Sequence, residues 1–137
     1  METHSQTPEI NGDAPALGLV CTAFKVVHFY ENGQITDLAN VTFLRLAGAW
    51  FRVYFEPETV FWRKDGEPKE PINSDFSSGL LVNDLSEDYR VVCRELKAIE
   101  YKGESTRTQL VLHWSGGSFL KLDHSHESGS TNLVIGC

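Results

Sequence analysis

The chain has 137 residues and a mass of 15.4 kDa, which is the size of a single domain that buries a core of its own. Nineteen acidic against twelve basic residues give a formal net charge of −7, which disfavours binding to a nucleic-acid phosphate backbone. No apolar run approaches the roughly 20 residues that cross a bilayer, and the N-terminus lacks the basic and apolar segments of a signal peptide. With three scattered cysteines and no CxxC pair, we expect a cytoplasmic protein without a disulfide framework.

Residues 1–16 are rich in polar and turn-forming residues and indicate a flexible lead-in. From residue 17 onward, short runs of β-branched and aromatic residues alternate with turn formers, a pattern typical of antiparallel β-structure. We therefore predict one antiparallel β domain over 17–137, a partly open barrel or a sandwich built from hairpins. The predicted strands cover 19–30, 41–47, 49–56, 59–64, 107–114, 118–124 and 131–136. The proline-containing stretch 67–79 is predicted to be a long loop or a short irregular edge strand.

Residues 84–103 support two interpretations. A helix over about 84–102 would have a capping box at its start and Gly103 as its stop, and it is the only substantial helix that the sequence allows. The alternative is a strand whose Leu96 lies opposite Leu112 in a hairpin that closes near Gly103. The adjacent valines at 91 and 92 mildly favour the strand.

The stretch from residue 41 to residue 64 predicts a three-stranded meander with tight turns at Ala47-Gly48 and Pro57-Glu58. Because side chains alternate along a strand, each face of this meander can be read directly. One face is apolar nearly throughout and comprises Thr42, Leu44, Leu46, Phe51, Val53, Phe55, Val60 and Trp62. The other, which we name the arginine–aromatic face, carries Phe43, Arg45, Trp50, Arg52, Tyr54, Phe61 and Arg63.

In this register Arg45 lies opposite Trp50, Phe43 opposite Arg52, and Tyr54 opposite Phe61. Cross-strand cation–π pairs explain part of the pattern as simple sheet stabilisation. Arg52 and Arg63 are also direct neighbours, where like charges repel, and an anion bridging them would relieve that conflict. Arginine and aromatic enrichment is, in addition, the composition of protein-interface hot spots.

The stretch "DHSHES" at 123–128 is the most chemistry-like in the chain. A two-residue turn at Gly116-Gly117 would place His124 opposite Gln109 and His126 opposite Arg107. His113 would then lie about 13 Å along the sheet from the partner of His124, too far to share a metal. His124 and His126 are therefore weak candidate metal ligands, and we interpret them as part of a polar loop where a strand ends. We predict no metal and no cofactor.

No nucleophile, phosphate-binding or metalloprotease motif occurs in the chain. We therefore favour a non-enzymatic binding module whose arginine–aromatic face contacts a protein. Residues 56–104 hold twelve acidic and seven basic residues, so the protein would suit a basic partner, as an inhibitor or immunity-type protein does. The alternative is a small β-barrel that encloses this face and binds an amphipathic anionic small molecule in its interior.

Overall fold

The computed structural model describes residues 7–69 and 78–137. Over these residues the chain forms ten β-strands and no helix. The strands are β1 (Glu9–Asn11), β2 (Cys21–Glu31), β3 (Gln34–Leu46), β4 (Ala49–Glu56), β5 (Thr59–Asp65), β6 (Ser78–Asp84), β7 (Leu96–Gly103), β8 (Arg107–Trp114), β9 (Phe119–Ser125) and β10 (Thr131–Gly136). All seven predicted strands are therefore present.

The strands form two sheets. The six-stranded sheet has the order β1-β5-β4-β3-β2-β6, and the four-stranded sheet has the order β10-β9-β8-β7. Every pairing is antiparallel except that of the short β1 with β5. The two sheets pack against each other as layers around one core, which confirms the predicted antiparallel β fold, a partly open barrel or sandwich.

The core lies between the sheets and contains the whole apolar face predicted for the meander. Leu44, Val60 and Trp62 are completely buried, and each remaining member of that face is at most 9 % exposed. The four-stranded sheet contributes leucines from β8 and β9, among them Leu112 and Leu120. Burying one such side chain contributes about 1.5–3 kcal/mol, so this interface is the main source of stability.

The helix predicted over about 84–102 does not form. Val91 and Val92 are buried in turns, and Cys93 takes a left-handed conformation with φ 68°. The Cys93 N–H then donates to the Cys21 carbonyl at 2.7 Å, which ties this segment to the start of β2. Tertiary pairing thus overrides the helical pattern.

The strand interpretation is confirmed for residues 96–103, which form β7, but its predicted register is wrong. Leu96 lies opposite Trp114, and it is Ile99 that lies opposite Leu112. A bulge between Leu96 and Ala98 and a turn that extends past Gly103 account for the shift.

Two strands, β1 and β6, were not among the predicted strands. β1 lies inside the predicted lead-in, of which residues 1–6 are outside the described part of the chain. β6 begins at Ser78, within the last two residues of the predicted loop or irregular edge at 67–79, and extends to Asp84. Of that loop, residues 70–77 are likewise not described. β1 is held by Arg63, whose guanidinium donates to the carbonyl and the side-chain oxygen of Asn11 at 3.1 and 2.8 Å.

Candidate functional site

The predicted register of the arginine–aromatic face is confirmed in full. Arg45 lies opposite Trp50 and Phe43 opposite Arg52 across β3 and β4. Across β4 and β5, Tyr54 lies opposite Phe61 and Arg52 opposite Arg63. Local turn geometry explains this success, because Ala47, Gly48 and Glu58 all take positive φ values, as tight two-residue turns require.

The face lies on the outer side of the six-stranded sheet, turned away from the four-stranded sheet. Arg45 is exposed, Trp50 is 9 % exposed, and the other five members of the face are half-buried. The interior location that a closed barrel would give this face does not occur, because the core-facing residues of the same strands are apolar and the sheets pack as layers.

Two aromatic rings form the centre of the face. The rings of Tyr54 and Phe61 stack with centroids 5.0 Å apart and planes within 4°. The guanidinium carbon of Arg52 lies 5.3 Å from the Tyr54 ring centre, and that of Arg63 lies 5.7 Å from the Phe61 ring centre. Each of the opposed arginines is thus placed on a ring of the stacked pair, and such contacts contribute about 0.5–1 kcal/mol at exposed sites.

One cation on this face was missed by sequence reasoning. Lys25 lies opposite Phe43 in the β2–β3 pairing, and its ammonium is 5.7 Å from the Trp50 ring centre and 4.0 Å from a carboxylate oxygen of Glu67. Strand alternation carries the signal, because Phe24 and Val26 on either side of Lys25 are buried in the core. The register of β2 against β3 was needed to place it beside the arginines.

The outer side of the four-stranded sheet has a different chemistry. Glu100 contacts Lys102 at 3.3 Å and His113 at 3.1 Å, and hydrogen bonds from these two side chains lower the pKa of the Glu100 carboxyl. Arg107 pairs with Asp123. On this side, charged groups therefore pair with groups of opposite sign, as on an ordinary solvated sheet face. On the arginine–aromatic face, the cations lie on aromatic rings instead.

The predicted register of the β8–β9 hairpin is wrong by one residue. His124 lies opposite Thr108, and Ser125 lies opposite Arg107. The cause is a longer turn, in which the Trp114 N–H donates to the Ser118 carbonyl at 2.9 Å around three intervening residues. Since a one-residue shift exchanges the two faces of a strand, His124 moves to the core face.

His124 is accordingly a buried strand residue, and it is not part of a frayed loop. It is 4 % exposed and stacks on Phe55 with ring centroids 5.6 Å apart, while its Nδ1 is 3.0 Å from the Thr131 hydroxyl. Burial lowers the pKa of His124, and the nearby His126 adds to this effect. The imidazole is therefore neutral at neutral pH.

His126 lies just beyond the end of β9, with its ring centroid 6.1 Å from that of His124. Its Nε2 is 2.7 Å from the Thr108 hydroxyl and its Nδ1 is 3.1 Å from the Ser105 carbonyl. The described residues contain no group of three or more His, Cys, Asp or Glu side chains that could hold a metal ion. The polar partners of the two imidazoles are instead threonine hydroxyls and a backbone carbonyl.

No protein-family model, curated protein or solved structure matches the chain. Within the described ranges, no helix has the length and apolar character that a membrane span requires. Among the surfaces described above, the arginine–aromatic face is the one where cations lie on aromatic rings.

Proposed function

We propose that the protein is a non-enzymatic cytoplasmic binding module that contacts a protein partner through the arginine–aromatic face. The observation that carries the proposal is the stacked pair of Tyr54 and Phe61 with Arg52 and Arg63 on its rings, on an outward sheet surface. Arginine, tyrosine and tryptophan are the residues most enriched at interface hot spots. Rings that are already stacked lose little conformational freedom on binding.

The charges around the face support a partner with basic groups. Glu56 and Glu58 lie at the β4–β5 turn, next to the stacked rings, and Glu67 and Asp84 lie on the Lys25 side. A partner that places apolar groups on the rings and cations on this acidic rim would be complementary in both respects. An inhibitor or immunity-type protein acting on a basic protein would have this charge relation.

A second candidate is a small amphipathic anion bound on the same face. Arg52 and Arg63 are direct cross-strand neighbours, so a carboxylate between them would contact two guanidiniums. Its apolar part would then lie along the Tyr54 and Phe61 rings.

Site-specific photo-crosslinking tests the protein interface. A benzophenone amino acid is placed at Phe43 or Arg45 on the face, and at Val134, which is 43 % exposed in the other sheet, as the matched control. After irradiation in lysate of the native host, we expect one protein to be crosslinked from both face positions and not from Val134. Equal crosslinking from all three positions, or none from the face, would refute the proposal.

Native mass spectrometry of the gently purified protein separates the two candidates. A stoichiometric protein partner that dissociates at high salt supports the interface. A mass excess of a few hundred daltons that is absent from an Arg52→Ala/Arg63→Ala variant would favour the bound anion.

A further inference from the structure

An open groove lies at the edge of the sandwich, between the β2–β3 hairpin and the loop that joins β9 to β10. It consists of two adjoining cavities of about 490 and 360 Å³ that share Thr36 and Ser130 in their linings. These volumes fall in the range of small-molecule sites. The groove is separate from the arginine–aromatic face, and the proposed protein interface does not use it.

The sheet is deformed at this groove. Val27 lies opposite Val41, but Phe29 lies opposite Asp37, so β3 carries extra residues across a bulge. On the C-terminal side of the bulge the buried residues of β3 have even numbers, as Thr42 does. On the N-terminal side they have odd numbers, as Ala39 does. In a regular strand Asp37 would share the outer face with Val41. The bulge turns it toward the four-stranded sheet, and bulges that re-aim a side chain are frequent at functional sites.

Asp37 is held in one orientation as a buried carboxylate. It is 6 % exposed, and its two oxygens accept from the Thr131 N–H at 2.9 Å and from the Asn40 amide at 3.0 Å. A carboxylate has about four acceptor positions, so Asp37 retains acceptor capacity toward the cavity that it lines. A neutral side chain could accept the hydrogen bond from the Thr131 N–H equally well. Burying a charged carboxylate for that hydrogen bond alone is costly.

The lining restricts the class of ligand. Its charged members among the described residues are Glu31 and Asp37, and neither cavity is lined by Lys or Arg, which disfavours phosphate or carboxylate ligands. Two carboxylates are too few for a metal site of protein ligands. The remaining polar groups of the larger cavity are the Asn40 amide and the hydroxyls of Thr36, Ser128 and Ser130.

These groups match the chemistry of a sugar ring. The Asp37 carboxylate can accept hydrogen bonds from hydroxyls, whereas amide and hydroxyl side chains can both donate and accept. Phe29 is directly opposite Asp37 in the sheet register and supplies an aromatic surface for C–H groups. We propose that the groove binds a neutral polyhydroxylated ligand of the saccharide class, with Asp37 and Asn40 binding its hydroxyls and Phe29 contacting its apolar side.

The proposal is tested with the full chain on a glycan array, and by saturation-transfer NMR with methyl glycosides of glucose, galactose, mannose and N-acetylglucosamine. Asn40→Ala and Ser130→Ala each remove one polar group of the groove. Gln109→Ala on the outer side of the four-stranded sheet is the matched control. We expect saturable binding that weakens about tenfold in each groove variant and is unchanged in the control, with native-like amide spectra throughout.

The result that overturns the proposal is the absence of saturable binding to any glycan, or binding that the groove variants leave unchanged. Arginine methyl ester serves as a second probe. If it binds in the groove where the glycosides do not, the two carboxylates select a cation and the saccharide assignment is wrong.

Discussion

Tyr54 and Phe61 stack across β4 and β5 with ring centroids 5.0 Å apart, and both rings face outward from the sandwich. An outward aromatic pair of this kind stabilises the sheet whether or not anything binds to it. The contribution of the ring pair to folding stability can therefore be measured separately from any role in binding.

A double-mutant cycle with Tyr54→Leu and Phe61→Leu should give a coupling free energy of about 0.5–1.5 kcal/mol, because offset aromatic pairs contribute that much beyond their buried area. Urea unfolding of the four proteins measures it. The control cycle pairs Tyr54→Leu with Val134→Ala in the other sheet and should be additive within about 0.5 kcal/mol. Coupling no larger than in this control would show that the rings do not stabilise each other.

The hydrogen bond from the Trp62 indole to the Tyr101 hydroxyl, 3.0 Å long, joins β5 of one sheet to β7 of the other. Tyr101→Phe leaves the indole N–H of the completely buried Trp62 without this acceptor, so we expect a loss of about 1–3 kcal/mol of unfolding free energy. Tyr89→Phe is the control, because Tyr89 is 64 % exposed and should stay within about 0.5 kcal/mol of wild type. Equal stability of both variants would contradict the structural role of this bond.

The meander could be predicted from sequence because its information is local. Its two turns fix which residues face each other, and period-two alternation then assigns every side chain to a face. The sequence of the β8–β9 hairpin was also sufficient to predict its correct register. Only the register with the longer turn places Leu110, Leu112, Leu120 and Leu122 on one face, but the Gly116-Gly117 pair suggested the shorter turn.

Other features depend on contacts between residues that are distant in sequence. β1 exists because Arg63 and β5 hold it, and the left-handed Cys93 is positioned by its bond to Cys21. The bulge that turns Asp37 inward is recognisable only once β2 and β3 are paired. None of these leaves a periodic pattern, so the groove could not be found from the sequence.

The Cys21 thiol should be inert in the folded protein. It is completely buried, and burial raises its pKa to about 12, so the reactive thiolate is scarce at neutral pH. Cys93 and Cys137 are exposed. Iodoacetamide at about pH 8 should add two adducts to the native protein and three after unfolding in urea, as counted by intact mass. A third adduct at the same rate on the native protein would contradict the buried position of Cys21.

The buried His124 should make the fold less stable in mild acid. Its pKa in the folded protein is lowered from 6.5, chiefly by burial and also by His126, while Asp37 and Asp123 act in the opposite sense. Below about pH 6.5 the imidazole of residue 124 therefore binds more protons in the unfolded chain than in the folded one. The contribution of the neutral imidazole is fully present above that pH and is lost as the pH falls toward the folded pKa.

Urea midpoints at about pH 7.5 and about pH 5.5 measure this loss. His124→Gln removes the titration, so its two midpoints should differ less than those of wild type even if the variant is less stable at both. Gln109→Ala, which changes no titrating side chain on the outer side of the four-stranded sheet, is the control and should retain the wild-type difference. If His124→Gln shows the full wild-type difference instead, the pH dependence arises from other groups, and the imidazole at 124 is not the residue that the core holds neutral.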